Sequence, residues 1–165
     1  MADTRSHPHI LENMLTGNTA GWGGAICCYG SSSPLILNNT IVGNHATTSS
    51  GGIEIMWQSA PVVRGNLIEG NRGPWGGGMD IGQGAHPVVD SNFFRNDTAD
   101  IGGAICCWSV DSALVTRNVI EYCVADSFGG GIFMETSSKP TIRHCTITNC
   151  FAVKDSDGGI GCATG

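Results

Sequence analysis

The sequence predicts an all-β chain. The expected fold is a right-handed parallel β-helix, a single-chain solenoid of about six coils of 26–27 residues with three short strands per coil. Three observations predict it: a recurring Gly-Gly pair, a recurring proline slot, and apolar residues at fixed offsets from that slot. Gly-Gly occurs at Gly23-Gly24, Gly51-Gly52, Gly77-Gly78, Gly102-Gly103, Gly130-Gly131 and Gly158-Gly159. The slot holds Pro8, Pro34, Pro61, Pro87, Ala113 and Pro140, in steps of 26, 27, 26, 26 and 27 residues.

Within each coil the apolar residues fall at fixed offsets from the slot. Two residues after it come Ile10, Ile36, Val63, Val89, Val115 and Ile142, the centre of a first strand. Seven after it come Leu15, Ile41, Ile68, Phe94, Ile120 and Ile147, the centre of a second. The Gly-Gly pair opens a third, with inward positions read as Ala25/Cys27, Ile53/Ile55, Met79/Ile81, Ala104/Cys106, Ile132/Met134 and Ile160/Cys162. None of these apolar runs is long enough for a helix, and one coil cannot bury its apolar face alone. Stacking the coils in register, about 4.8 Å apart, turns those faces into a continuous core. Right-handedness is the expected hand of parallel crossovers.

Between the strands, Asn columns mark the bends. Five residues after the slot stand Asn13, Asn39, Asn66, Asn92, Asn118 and then Cys145. Ten after it stand Asn18, Asn44, Asn71, Asp97, Cys123 and Cys150. Asn tolerates a left-handed bend, and its amide can hydrogen-bond the Asn of the next coil. The Gly-Gly bends suit places where a Cβ would clash.

Units such as 23–44, Gly-Gly-Ala-Ile-Cys-Cys-Tyr-Gly-Ser-Ser-Ser-Pro-Leu-Ile-Leu-Asn-Asn-Thr-Ile-Val-Gly-Asn, and the similar 129–150, resemble the β-helix repeats of the pectate-lyase-like superfamily. The resemblance runs from about Pro8 to the end of the chain. It implies the fold, and an extracellular or cell-surface setting. Activity is not implied, because that superfamily includes polysaccharide lyases, glycoside hydrolases, epimerases, adhesins and tailspikes. The Gly-His-Gly of polygalacturonases, the Asp-Pro-His-Glu of alginate epimerases and the Arg-x-Pro-x-x-Arg of pectate lyases do not occur. No catalytic residue is carried over.

Composition narrows the partners. The 165 residues carry a net charge of −6 with eight Lys+Arg, which speaks against nucleic acid. Apolar runs of four to five residues are too short for a membrane-spanning helix. Met1-Ala2-Asp3-Thr4-Arg5 is followed by no apolar stretch of a signal peptide. The chain reads as one domain, 1–165, without a capping helix at either end. It is therefore expected to be a segment whose ends are covered by parent-chain neighbours or by end-to-end association of two copies.

Register turns the sequence into a map of neighbours. On the Gly-Gly strand the outward position reads Ile26, Glu54, Asp80, Ile105, Phe133 and Gly161, so Glu54 and Asp80 stack on adjacent coils. Two carboxylates so close invite a calcium ion or raise one pKa for acid/base work on a sugar; the plainer reading is two solvated surface acids. Tyr29, Trp57 and Trp108 are placed in one slot, with Gln83, Thr136 and Thr164, while Trp22, Trp75 and Phe128 precede the Gly-rich bends. These rings either line a sugar-binding groove or cover the bends as packing. Glu135, Arg64 and Arg143 are neighbouring exposed charges that either help to bind a glycan or are simply solvated. His7, His9, His45, His86 and His144 show no zinc spacing.

Of the eight cysteines, only Cys123 and Cys150 stack directly, so at least six free thiols are expected. Three functions compete: a carbohydrate-binding or adhesion module, a polysaccharide lyase or glycoside hydrolase using Glu54 and Asp80, and a scaffold without a ligand. A lyase also needs a Lys or Arg base, and the chain has only Lys139 and Lys154, neither on that strand.

Overall fold

A computed structural model describes residues 6–135, 137–154 and 157–163; Met1–Arg5, Thr136 and Thr164 fall outside them. The described residues form a right-handed parallel β-solenoid of about six coils with no helix. The three expected strands per coil are joined by a fourth, giving four six-stranded parallel sheets.

The first sheet stacks the strands that follow the proline slot, from His9–Leu11 to Thr141–Arg143, and the second stacks Met14–Thr16 through Thr146–Thr148. Register is as the periodicity requires: Ile10, Ile36, Val63, Val89, Val115 and Ile142 form one column. Leu15, Ile41, Ile68, Phe94, Ile120 and Ile147 form the other. From Ile36 to Val115 and from Ile41 to Ile120 these side chains are fully buried, the interior of the core.

The third sheet, beyond the three strands expected, stacks Thr19–Ala20, His45–Ala46, Arg72–Trp75, Thr98–Ile101, Val124–Phe128 and Phe151–Ala152. Its inward column is Ala20, Ala46, Gly73, Ala99, Ala125 and Ala152. These small residues recur twelve residues after the proline slot in every coil, and they let this wall lie close to the axis.

The Asn ladders form as expected. Asn66 Nδ2 donates to Asn92 Oδ1 at 2.9 Å and to the Ile36 carbonyl at 2.9 Å, and Asn66 Oδ1 accepts from Asn39 N at 2.8 Å and Nδ2 at 3.0 Å. The left-handed residue at each bend is not the ladder Asn, however, but the one before it: Asn38, Ser91 and Arg117 precede Asn39, Asn92 and Asn118 with φ of 55, 53 and 53°. The ladder Asn keeps an ordinary backbone and points inward, where its amide satisfies buried carbonyls.

The fourth sheet stacks Ile26–Cys28, Ile53–Ile55, Met79–Gly82, Ile105–Trp108, Ile132–Glu135 and Ile160–Ala163. Here two coils are corrected by one residue. Ile26 pairs with Ile53 and Ile105 with Met79, so Ile26/Cys28 and Ile105/Cys107 point inward. Cys27 and Cys106 occupy the outward column instead, which reads Cys27, Glu54, Asp80, Cys106, Phe133 and Gly161. Cys162 joins the inward column through Met134 and Cys107. The bend before this sheet is closed by glycine for steric reasons. A Cβ on Gly77 would lie 2.5 Å from the Thr98 carbonyl oxygen and 2.6 Å from that of Gly103.

Candidate functional site

The fourth sheet positions the site because its outward residues lie under the segment 47–50. Glu54 and Asp80 pair on adjacent strands, as the register predicted. They are not solvated surface acids: Glu54 is 0% and Asp80 1% exposed. Ser49, itself buried, bridges them. Its Oγ bonds Glu54 Oε2 and lies 3.0 Å from Asp80 Oδ2. Ser50 N donates to Glu54 Oε2 at 3.2 Å, and Trp108 Nε1 donates to Asp80 Oδ2 at 2.9 Å.

A hydroxyl has one proton to give, so Ser49 cannot donate to both carboxyls at once. One of the two bonds is made by a carboxylic acid donating to the hydroxyl. Burial, then the Asp80 charge, pushes Glu54 above the usual carboxylate range. Burial also raises Asp80, against the opposing bonds from Trp108 and Ser49. The consistent arrangement puts the proton on Glu54 and the charge on Asp80, with Ser49 donating to Asp80. Glu54 Oε1 and Asp80 Oδ1 have no partner of good hydrogen-bond geometry.

This pair does not match either chemistry that the sequence suggested for it. Calcium takes about six to eight oxygen ligands, and here two carboxyls and one hydroxyl converge. Among the described residues no group of three or more His, Cys, Asp and Glu side chains is placed to hold a metal. Both carboxyls are also buried and tied to Ser49, whereas the two acids of a glycoside hydrolase must flank a sugar held between them.

The aromatic residues gather around this pair. A hollow of about 340 Å³ is lined by Trp22, Thr48, Ser49, Trp75, Asp80, Trp108 and Glu135. A second, of about 300 Å³, is lined by Trp22, Cys27, Tyr29, Met56 and Trp57, so Trp22 is a wall common to both. Tyr29, Trp57 and Trp108 do not share one slot: Trp108 pairs with Gly82, and Tyr29 meets the Trp57 ring edge-on at a centroid distance of 5.8 Å. The rings are not internal packing, since Trp22 is 46% and Trp57 47% exposed. Trp75 does stack in register with Ile101 and Phe128, and Phe128 turns to Phe133, 5.6 Å between centroids.

Trp108 is held on two sides. A Cβ on Gly82 would come within 2.7 Å of Trp108 Cζ2 and Nε1, so the indole lies against that glycine while its N–H is tied to Asp80. Ser49, Cys106 and Gly82 belong to the site and were missed in the sequence. The repeated Gly-Gly-Ala-Ile-Cys-Cys at 23–28 and 102–107 was the signal for Cys106; the covering segment gave none.

The remaining candidates lie elsewhere. Arg64 and Arg117 both bond Asp90 Oδ2, at 2.8 and 2.7 Å, on the first sheet. Burial alone would raise Asp90, but the bonds from Arg117, Ser91 and Arg64 hold it below its ordinary value. Arg143 lines a separate hollow with His86 and Ser112. Another hollow, about 490 Å³ over the third sheet, has a mixed lining that includes His45, Arg72, Asp100 and Asp126. All eight cysteines are free thiols, Cys123 and Cys150 included. No described helix is long and apolar enough to cross a membrane.

Comparison with curated proteins returned no match, and comparison with solved structures returned none either. A family model described as "Right handed beta helix region" matches residues 3–118 and 74–165. With the stacked sheets and ladders in place, and with those matches spanning nearly the whole chain, the protein belongs to the right-handed β-helix family.

Proposed function

We propose that the protein is a carbohydrate-binding module, of the kind that serves adhesion at a cell surface or outside the cell, and that a glycan lies along the fourth sheet. The observation that carries this reading is the pair of adjoining hollows walled by Trp22, Trp75, Trp108, Tyr29 and Trp57. Aromatic faces stack on the apolar faces of pyranose rings, and rings already fixed in place lose little entropy on binding. The Trp108 indole is fixed in this way by Asp80 and Gly82. Glu135, exposed on the rim, offers acceptors to sugar hydroxyls.

Binding is favoured over turnover because Glu54 is sealed from any substrate and its carboxyl is tied to Ser49 Oγ and Ser50 N. The experiment is a glycan array together with a reducing-end assay on acidic polysaccharides. Retention of a glycan that Trp57→Ala abolishes, with no new reducing ends, is the expected result. Turnover lost in Glu54→Gln or Asp80→Asn would replace this reading with an enzymatic one. No retention and no turnover would leave the scaffold reading.

A further inference from the structure

We infer that the hollow walled by Trp22, Trp75 and Trp108 is a site for a trimethylammonium head group such as that of choline. This goes beyond the glycan reading, since it concerns one hollow and one charged group. Three indoles surround a space of about 340 Å³ whose lining contains no Lys, Arg or His. Its only ionisable lining groups are the carboxyls of Asp80 and Glu135. An organic cation over indole faces is attracted by the ring quadrupole, and quaternary ammonium groups are the ligands that such cages take.

The donor and acceptor inventory selects the trimethylated form. An indole N–H is a donor only, and that of Trp108 is already spent on Asp80. A primary ammonium would bring three N–H groups in search of acceptors into a lining dominated by rings. A trimethylammonium brings none, and its methyl groups pack on the indole faces. The charge is met from two sides: Glu135 is exposed at the rim, and Asp80, almost wholly buried, holds the N–H of the Trp108 indole that forms one wall. The cage is also preformed at Trp108, whose ring rests on Gly82.

The test titrates choline, and separately its neutral isostere 3,3-dimethylbutan-1-ol, into the full chain while following tryptophan fluorescence and heat of binding. The expected result is saturable choline binding, with the isostere weaker by about tenfold or more. Trp75→Ala should abolish it. Glu135→Gln should weaken it roughly fivefold while melting stays unchanged, because that side chain is exposed. Absence of choline binding, equal binding of the isostere, or full affinity in Glu135→Gln would each overturn the inference. The outcomes remain separable from the glycan reading: choline bound without any glycan retained supports the cage and sinks the groove, and a glycan retained without choline does the reverse.

Discussion

The Trp108 indole N–H reaches back one coil to the Asp80 carboxylate at 2.9 Å, joining the wall of the aromatic hollow to the acid pair beneath it. Among the described residues Asp80 accepts one other side-chain bond from nitrogen or oxygen, that from Ser49. Trp108→Phe keeps a ring on Gly82 but removes the donor, leaving a buried charge with one less partner. The expected loss is about 1–3 kcal/mol at neutral pH, measured by urea denaturation. At pH 4, where Asp80 is protonated in the folded state, the loss should be smaller. An equal loss at both pH values would mean that the bond does not serve the charge.

The acid pair makes stability pH-dependent with a definite sign. Burial raises both carboxyls, so the folded chain holds protons that the unfolded chain releases above about pH 4. Their contribution to stability is therefore full below that point and is lost as pH rises through the raised folded values. Glu54→Gln keeps the shape and removes the titrating group carrying the proton. The melting temperature of the variant should fall less than that of the parent chain between pH 5 and pH 8. A parallel fall in both would assign the dependence to other groups.

One of those other groups is Asp97, the single acid in the Asn ladders. Its Oδ1 accepts from Asn71 N at 2.8 Å and Nδ2 at 3.0 Å, as a ladder Asn would, but Oδ2 lacks a partner. Burial pushes its pKa well above the ordinary value. Elsewhere in these columns the second atom is an NH₂ that donates to a carbonyl about one coil back, as Asn71 does to Ile41. Asp97→Asn restores that donor without changing shape. It should stabilise the fold by about 1 kcal/mol or more, the gain growing as pH rises because the parent must keep Asp97 protonated. Destabilisation at pH 8 would contradict this account.

These three acids show which parts of the molecule a sequence discloses. The Ile36–Val63 column and the Asn ladders were legible because each repeats the same chemistry at a fixed step, and stacking converts that step into contact. Adjacency of Glu54 and Asp80 followed from the same logic. Their burial did not, because it depends on the path of 47–50, which does not repeat. The error at Cys27 and Cys106 has a simple cause. In those two coils Ala25 and Ala104 stand where the other coils have the second glycine of the bend, so counting from Gly-Gly slipped by one. With a side-chain period of two, a slip of one residue exchanges the two faces of a strand.

The far end of the ladders offers the last prediction. Asn66→Ala, mid-column, would leave Asn39 N without its acceptor and remove one bond each from the Ile36 carbonyl, Asn92 Oδ1 and Asn39 Nδ2, the last two of which keep other partners. A loss of about 1–3 kcal/mol is expected, the cost of an orphaned buried group such as Asn39 N. At Cys145 the column changes chemistry: Asn118 Nδ2 still donates to the Val89 carbonyl at 2.9 Å but meets a sulfur at 3.9 Å on the next coil, and the thiol reaches the Val115 carbonyl at 3.7 Å. Sulfur is a weak donor and a weak acceptor. Cys145→Asn would offer Asn118 an oxygen and Val115 a nitrogen, extending the ladder by a rung. It should therefore stabilise by about 1 kcal/mol, while Cys145→Ala should be nearly neutral or mildly destabilising. Thermal melts of the three variants decide the point. If Asn at 145 proves no better than Ala, the ladder's stabilisation comes from its fully buried middle rungs, and the half-exposed position of residue 145 leaves water to do the same work.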